Sequence, residues 1–337
     1  MRKLVIFCHY NKNNQVENYV LLYLEALKKI THAIQFVSNS PIDSVGRIKI
    51  TPWVQNIIVR ENHGLDFAAW KQVLYTLGFE YIHKNYDELI LVNDSCYAPY
   101  AAFEPLFQKM SAQPCDMWGI TENIGAKHYC NNGNIIPLPP HLQSYFLVFK
   151  KSILVHPVFM DFWHGVDDFA TRDTVVAAYE GGLTQCLRTQ SFNCAAAFPA
   201  LPEDAKKIQQ RYGRPLHDLS IGYWDVLLER GSPVLKIKAI RELFTARITT
   251  LLTLKVTELR SLQKKWQALS CTTPFYTAHA HLTKTSTIYA AHQLSFLKKI
   301  VFLVQYALQR DTAASMQRWS GYKKRIIKYI RGGIKKQ

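Results

Sequence analysis

The chain has 337 residues, 48% hydrophobic and 20% charged, which places it among globular proteins and excludes a disordered or fibrous one. Its net charge of +16 is unevenly placed: from Lys206 onward 25 basic residues face 6 acidic ones, a balance of +19, while the first 205 residues stand at −3. The seven cysteines are odd in number with no CxxC spacing, which argues against a disulfide framework or a zinc site and fits a reducing compartment.

The start, "MRKLVIFCHYNK", reads as a first strand and not as a secretion signal. "QVENYVLLYLEALKKI" sets Val16, Val20, Tyr23, Leu27 and Ile30 on one helical face, and "AIQFVSNS" and "NIIVREN" follow as strands two and three. "GLDFAAWKQVLYTLGF" reads as a helix and "ELILVNDS" as the fourth strand, whose apolar run Leu89–Val92 suits burial on both faces. "DMWGITEN" and "QSYFLVFKKSIL" are further strands, and residues 123–142, rich in Asn, Gly and Pro, read as a long loop. Strands separated by amphipathic helices imply an α/β fold with a mostly parallel sheet covered on both faces. From about residue 236 the texture turns helical, with Ile240, Phe244, Ile248, Leu251, Leu259, Leu262 and Trp266 in a 3–4–7 rhythm and a second helical region from about Ala290 to Ile330. The stretch "IVFLVQYAL" is too short to span a bilayer, so no transmembrane segment is expected.

Ligands in open α/β sheets sit at the carboxyl ends of the strands. Three sets of residues fall there or beside it. Arg60, Asn62, Gly64 and Asp66 lie between the third strand and the next helix. A helix N-terminus offers free N–H groups, Gly64 allows close backbone approach, and Arg60 suits a diphosphate or a carboxylate partner. Asp66 suits an N-cap at least as well as a ligand contact. Asn93-Asp94-Ser95 ends the fourth strand, where Asp94 offers a hard oxygen ligand for a cation bridging phosphates or, equally, a turn residue. Glu180 precedes Gly181-Gly182 and a helix, so it reads either as a helix-start charge or as a general base. His9, His63, His141 and His217 show no metal-ligand spacing.

The motifs "RENHGLDFAAWK" (60–71), "LILVNDSCYAP" (89–99), "DMWGITEN" (116–123), "HLQSYFLVFKK" (141–151), "YEGGLTQCL" (179–187) and "GSPVLK" (231–236), in this order, resemble the rhamnan synthesis protein F family of glycosyltransferases. The resemblance implies a Rossmann-like GT-A glycosyltransferase fold over 1–235, with 236–337 a helical, basic, membrane-associating extension. It implies transfer of a sugar, rhamnose or another hexose, from a nucleotide-sugar donor to a lipid-linked oligosaccharide acceptor, in cell-surface polysaccharide or lipopolysaccharide O-antigen synthesis. "VNDS" is similar to the Asp-x-Asp motif of such enzymes, with Asp94 as ligand of a divalent metal, Mn or Mg, and Asn93 where the first Asp would stand. "YEGGLT" nominates Glu180 as the base, with Gly181 in place of a second acid. His9, Tyr10, Arg60, Asn62, Gly64, Asp66, Asn93, Ser95, Gln143, Ser144 and Tyr145 form the implied substrate-binding set.

In the tail, Lys323, Lys324, Arg325, Lys328, Arg331, Lys335 and Lys336 interleave with Trp319, Tyr322, Ile326, Tyr329 and Ile330. That pattern suits an amphipathic helix on an anionic membrane surface, at about 1 kcal/mol per basic residue, ahead of the bland readings of a solvated basic tail or a helix packing on a partner. With the family's lipid-linked acceptors it places the protein on the inner face of a bacterial cytoplasmic membrane. Two rival functions carry less weight. A nucleic-acid binder would explain the basic tail but not the near-neutral body, so no nucleic acid is expected. A non-catalytic scaffold subunit of a polysaccharide synthase would explain Asn93 and Gly181.

Overall fold

The computed structural model describes residues 1–239, apart from 130–132, 134, 214, 217 and 221. From residue 240 onward the helical extension and basic tail lie outside the described residues, as does His217.

The core is a seven-stranded sheet. In chain order its strands are β1 (Lys3–His9), β2 (Ala33–Ser38), β3 (Asn56–Val59), β4 (Glu88–Asn93), β5 (Met117–Gly119), β6 (Phe146–Lys150) and β7 (Cys194–Ala196). They lie side by side as β7-β5-β6-β4-β1-β2-β3. Every pairing is parallel except those of β6, which runs antiparallel to both β4 and β5. The fold is therefore mixed α/β with a mainly parallel central sheet, as the alternating pattern implies. β1 and β4 are apolar on both faces because helices cover both sides.

Helix α1 (Asn18–Ile30) packs on one face, where the Phe7 ring stacks on Phe36 at 5.5 Å and meets Tyr23 edge-on at 5.4 Å. Helix α2 (Leu65–Leu77) packs on the other, burying Phe67, Trp70, Val73 and Leu74 against Leu4, Ile6, Leu89 and Leu91. Side chains alternate between faces along a strand, so Cys8 and Asn93, paired across β1 and β4, share the α2 side. That register aims the end of β4 at the start of α2.

Three expectations change. Residues 123–142 are not one loop: Ala126–Tyr129 pairs antiparallel with Ile135–Leu138, and Glu122–Asn123 with His141–Leu142. Strands of two to four residues leave too little alternation to be read within a segment rich in Asn, Gly and Pro. Asp66 is not an N-cap; that position belongs to Gly64, at φ +62°, and Asp66 sits within the first turn. Glu180 does not open a helix. Helical backbone runs from Arg172–Thr174 through a π-helical turn, Val175–Glu180, into helix α3 (Gly181–Thr189), and Glu180 keeps right-handed helical dihedrals. Glycines at 181 and 182 suggest a helix start from sequence, but here they sit inside a continuous one.

Among the described residues, no helix is long and apolar enough to cross a membrane.

Candidate active site

β2 and β3 lie on one side of β1 and β4 on the other, so the chain order reverses between β1 and β4. This is the switch point at which open α/β sheets receive ligands. Asp94 spans it. Its N–H donates to the Cys8 carbonyl at 3.0 Å, and its carboxylate accepts the Tyr10 N–H at 3.4 Å and the Tyr19 hydroxyl at 3.3 Å. Asp94 is buried, fixed by the end of one strand and by a tyrosine from α1. His9, also buried, bonds the Ser38 hydroxyl through Nδ1 at 2.9 Å, while the Tyr10 side chain is exposed.

Asn93 donates from Nδ2 to Asp66 Oδ2 at 2.8 Å, and its Oδ1 accepts from the Ser95 hydroxyl at 2.5 Å. Asp66, half-buried, also accepts the Phe67 N–H at 3.1 Å. Burial pushes its carboxyl up to about 6, with the charge of Glu180 adding to the rise and the Asn93 and backbone hydrogen bonds opposing it. Glu180 is itself gripped by Ser144, whose N–H and hydroxyl both lie 3.0 Å from Oε1. Cys8 reports on the same field: burial raises its thiol, Asp66 and Asp94 add to that, and Arg60 opposes them.

The reversed direction of β6 brings its start, not its end, to this edge, with Phe146 opposite Val92. Gln143, Ser144 and Tyr145 therefore join the site. Tyr145 shares a 2.6 Å hydrogen bond with Thr121, which donates to Gln143 Oε1 at 2.5 Å, and Gln143 donates to Asp218 at 3.2 Å.

The Arg60–Asp66 turn is more committed to the protein than its sequence implies. Arg60 donates to Gln72 at 2.9 Å, Asn39 at 2.8 Å and the His63 carbonyl at 2.9 Å. Burial lowers its pKa, with Cys8 and Asp168 pulling the other way. What Gly64 approaches closely is the chain itself: a Cβ there would lie 2.7 Å from the Asp168 carbonyl and 3.0 Å from that of Asp167. Asn62 is exposed. A groove of about 640 Å³ beside this turn is lined by Arg60, Lys71, Gln72, Tyr75, Thr76, Asp168 and Phe169. The carboxylates of Asp66, Asp94 and Glu180 do not line it.

The structure thus gathers His9, Asn93, Asp94, Ser95, Asp66, Gln143, Ser144, Tyr145 and Glu180 around one sheet edge, and leaves Asn62 and the Tyr10 ring outward. Tyr19, Asn39, Thr121 and Asp218 also take part in these hydrogen bonds, and none of them stands in a position that its sequence neighbours mark as functional. Thr121 lies inside "DMWGITEN", and Asp218 inside a segment with no recognisable motif.

A divalent cation is implied by the family resemblance. Among the described residues no three His, Cys, Asp or Glu side chains group to hold an ion. Asp94 supplies one hard carboxylate, while Asn93 spends its amide on Asp66 and Ser95. One carboxylate fits a Mg²⁺- or Mn²⁺-type ion only when phosphate oxygens and water complete its shell. The donor set therefore fits a cation that arrives with a diphosphate, not a resident ion.

These features define an α/β protein with a polar, carboxylate-bearing cluster of side chains at the sheet's switch point. Residues 34–300 match the sequence profile of rhamnan synthesis protein F, and the chain belongs to that family. It is 26% identical over 206 residues to the uncharacterized protein y4gN of Sinorhizobium fredii, covering 60% of this chain and 51% of that one. The chain thus spans about half the length of the curated relative it matches. Among solved structures, it is similar to a 4-diphosphocytidyl-2C-methyl-D-erythritol synthase from Anaerococcus prevotii (10% identity, 60% of this chain, 90% of that one, TM-score 0.38). A putative nucleotide-diphospho-sugar transferase from Desulfovibrio desulfuricans G20 is likewise similar (14% identity, 68% of this chain, 95% of that one, TM-score 0.35).

Proposed function

We propose that the chain is a GT-A-type hexosyltransferase that moves a sugar from a nucleotide-sugar donor to a lipid-linked glycan acceptor in cell-surface polysaccharide or O-antigen synthesis. The observation that carries this reading is the convergence of Asp94 and Ser144-clamped Glu180 on one sheet edge in a member of this family. Asp94 would hold a Mg²⁺ or Mn²⁺ ion together with the donor phosphates, and such an ion, when bound, would supply neutralising charge to the leaving diphosphate. Glu180 is the base: it takes the acceptor hydroxyl's proton as that oxygen bonds the anomeric carbon and the bond to the nucleoside diphosphate breaks. Ser144 fixes Oε1, which leaves the second carboxylate oxygen to face the acceptor. The basic tail is the proposed attachment to an anionic membrane leaflet, on the cytoplasmic side, where lipid-linked acceptors would be met.

A thermal-shift panel of nucleoside diphosphates and nucleotide sugars, with and without Mn²⁺ or Mg²⁺, tests the reading. The expected result is a rise in melting temperature for one nucleobase that is lost in Asp94→Ala. No shift with any of them would refute the donor site and favour a scaffold subunit that keeps the fold without the chemistry.

A further inference from the structure

The sixth motif, "GSPVLK", has no part in the chemistry so far. Its last two residues, Leu235–Lys236, pair antiparallel with Cys96–Tyr97, directly after the Asn93-Asp94-Ser95 turn. Lys236 lies opposite Cys96, and the next N–H, of Ile237, donates to the Ser95 carbonyl at 2.9 Å. This short pairing returns the chain to the sheet edge. It sets the Lys236 ammonium 4.8 Å from the centroid of the Tyr145 ring.

The placement is well supported. Tyr145 is buried at 2% exposure, its hydroxyl bonded to Thr121, and Val234 and Ile237 are buried on either side of the part-exposed lysine. A cation over an aromatic face is held without being neutralised. The charges near Tyr145 are otherwise acidic: Asp218 and Glu180 both raise its hydroxyl's pKa, beneath a larger effect of burial. Two basic side chains of the neighbouring Arg60–Lys71 segment are already engaged, Arg60 with Asn39, Gln72 and the His63 carbonyl, and Lys71 with the Val166 carbonyl at 2.6 Å and Asp168 at 3.7 Å. Among the described residues Lys236 forms no ion pair. A site that brings together Asp66, Asp94, Glu180 and Asp218 needs positive charge from the chain to receive a diphosphate.

We propose that Lys236 binds the diphosphate of the donor, its ammonium poised over Tyr145 beside the Asp94 turn. The inference rests on the donor reading above and adds a residue to it. Lys236 does for the phosphates what a second metal-binding carboxylate would do indirectly, and the "GSPVLK" segment is its mount.

The test measures binding of UDP, GDP, CDP and dTDP by calorimetry, with Mg²⁺ and separately with EDTA, alongside the parent nucleosides. Lys236→Ala should weaken the preferred diphosphate roughly 10- to 100-fold, the range for a charge-assisted contact, and leave the nucleoside unchanged. Lys236→Arg should restore most of the loss, and the salt dependence of diphosphate affinity should be shallower in Lys236→Ala. Lys236→Met keeps the aliphatic stem and guards against loss of packing, and circular dichroism checks that each variant is folded. Equal diphosphate affinity in wild type and folded Lys236→Ala would overturn the inference and leave the donor site standing. A wild type that binds no diphosphate would overturn both.

Discussion

Asp66 gives the sharpest test of the site's electrostatics. Its carboxyl is raised from 3.8 to about 6, first by burial and then by the charge of Glu180. In the unfolded chain it titrates near its ordinary value, so between about pH 4 and pH 6 the native state holds a proton that the unfolded state has released. The group therefore contributes most below pH 4, and its contribution is lost as pH rises through 6. At 1.36 kcal/mol per unit the loss is about 3 kcal/mol at most. Asp66→Asn is neutral throughout and keeps an acceptor for the Asn93 amide, but it gives up a hydrogen bond to the Phe67 N–H worth about 1 kcal/mol. The variant should be less stable than wild type by about 1 kcal/mol at pH 4 and more stable by about 1–2 kcal/mol at pH 8. Urea denaturation of both proteins at pH 4, 6 and 8 measures the difference, and titrations elsewhere cancel in it. A difference that stays constant from pH 4 to pH 8 would refute the assignment of a raised carboxyl.

Gly64→Ala should cost about 2–5 kcal/mol, because the added Cβ meets two backbone carbonyls and Ala68 while the residue holds φ +62°; chemical denaturation reads it, and a loss below 1 kcal/mol would show that the contact with residues 167 and 168 gives way easily. Phe67→Ala empties a fully buried site ringed by Trp70, Trp163 and Tyr179 at 5.3–5.8 Å and should cost about 3–5 kcal/mol in the same measurement. Ser144→Ala removes one of the two hydrogen bonds on Glu180 Oε1; with the donor identified, kcat should fall roughly 5- to 10-fold with nucleotide affinity unchanged, and a fall in affinity alone would remove Ser144 from the base's support.

The strands β1 and β4 were legible because a strand buried on both faces can only be an unbroken apolar run, as "KLVIFC" and "LILV" are. The short helices Ser44–Ile50, Phe79–Asn85 and Phe103–Ser111 were not, because seven to nine residues hold barely two turns of periodicity. Asp94 and Glu180 could be nominated from the order of the motifs that carry them. Their partners could not. Tyr19 reaches Asp94 across 75 positions and Gln143 reaches Asp218 across the same interval, and neither pairing leaves a local pattern. The π-helical turn before Glu180 was hidden for a related reason. Val175 and Tyr179 within it pack into the core cluster through contacts distant in sequence, and Gly181-Gly182 gave the opposite signal.

The Asn93–Asp66 hydrogen bond has an evolutionary consequence. An amide at 93 can donate to the carboxylate at 66, whereas an aspartate at 93 would set two anions 2.8 Å apart on the same side of the sheet. The two positions therefore form a single heritable choice, although 27 residues separate them in the chain. Lineages that carry an aspartate at the position of Asn93 should have surrendered the acid at the head of α2, and lineages that keep that acid should have Asn, or another donor, where this chain has Asn93.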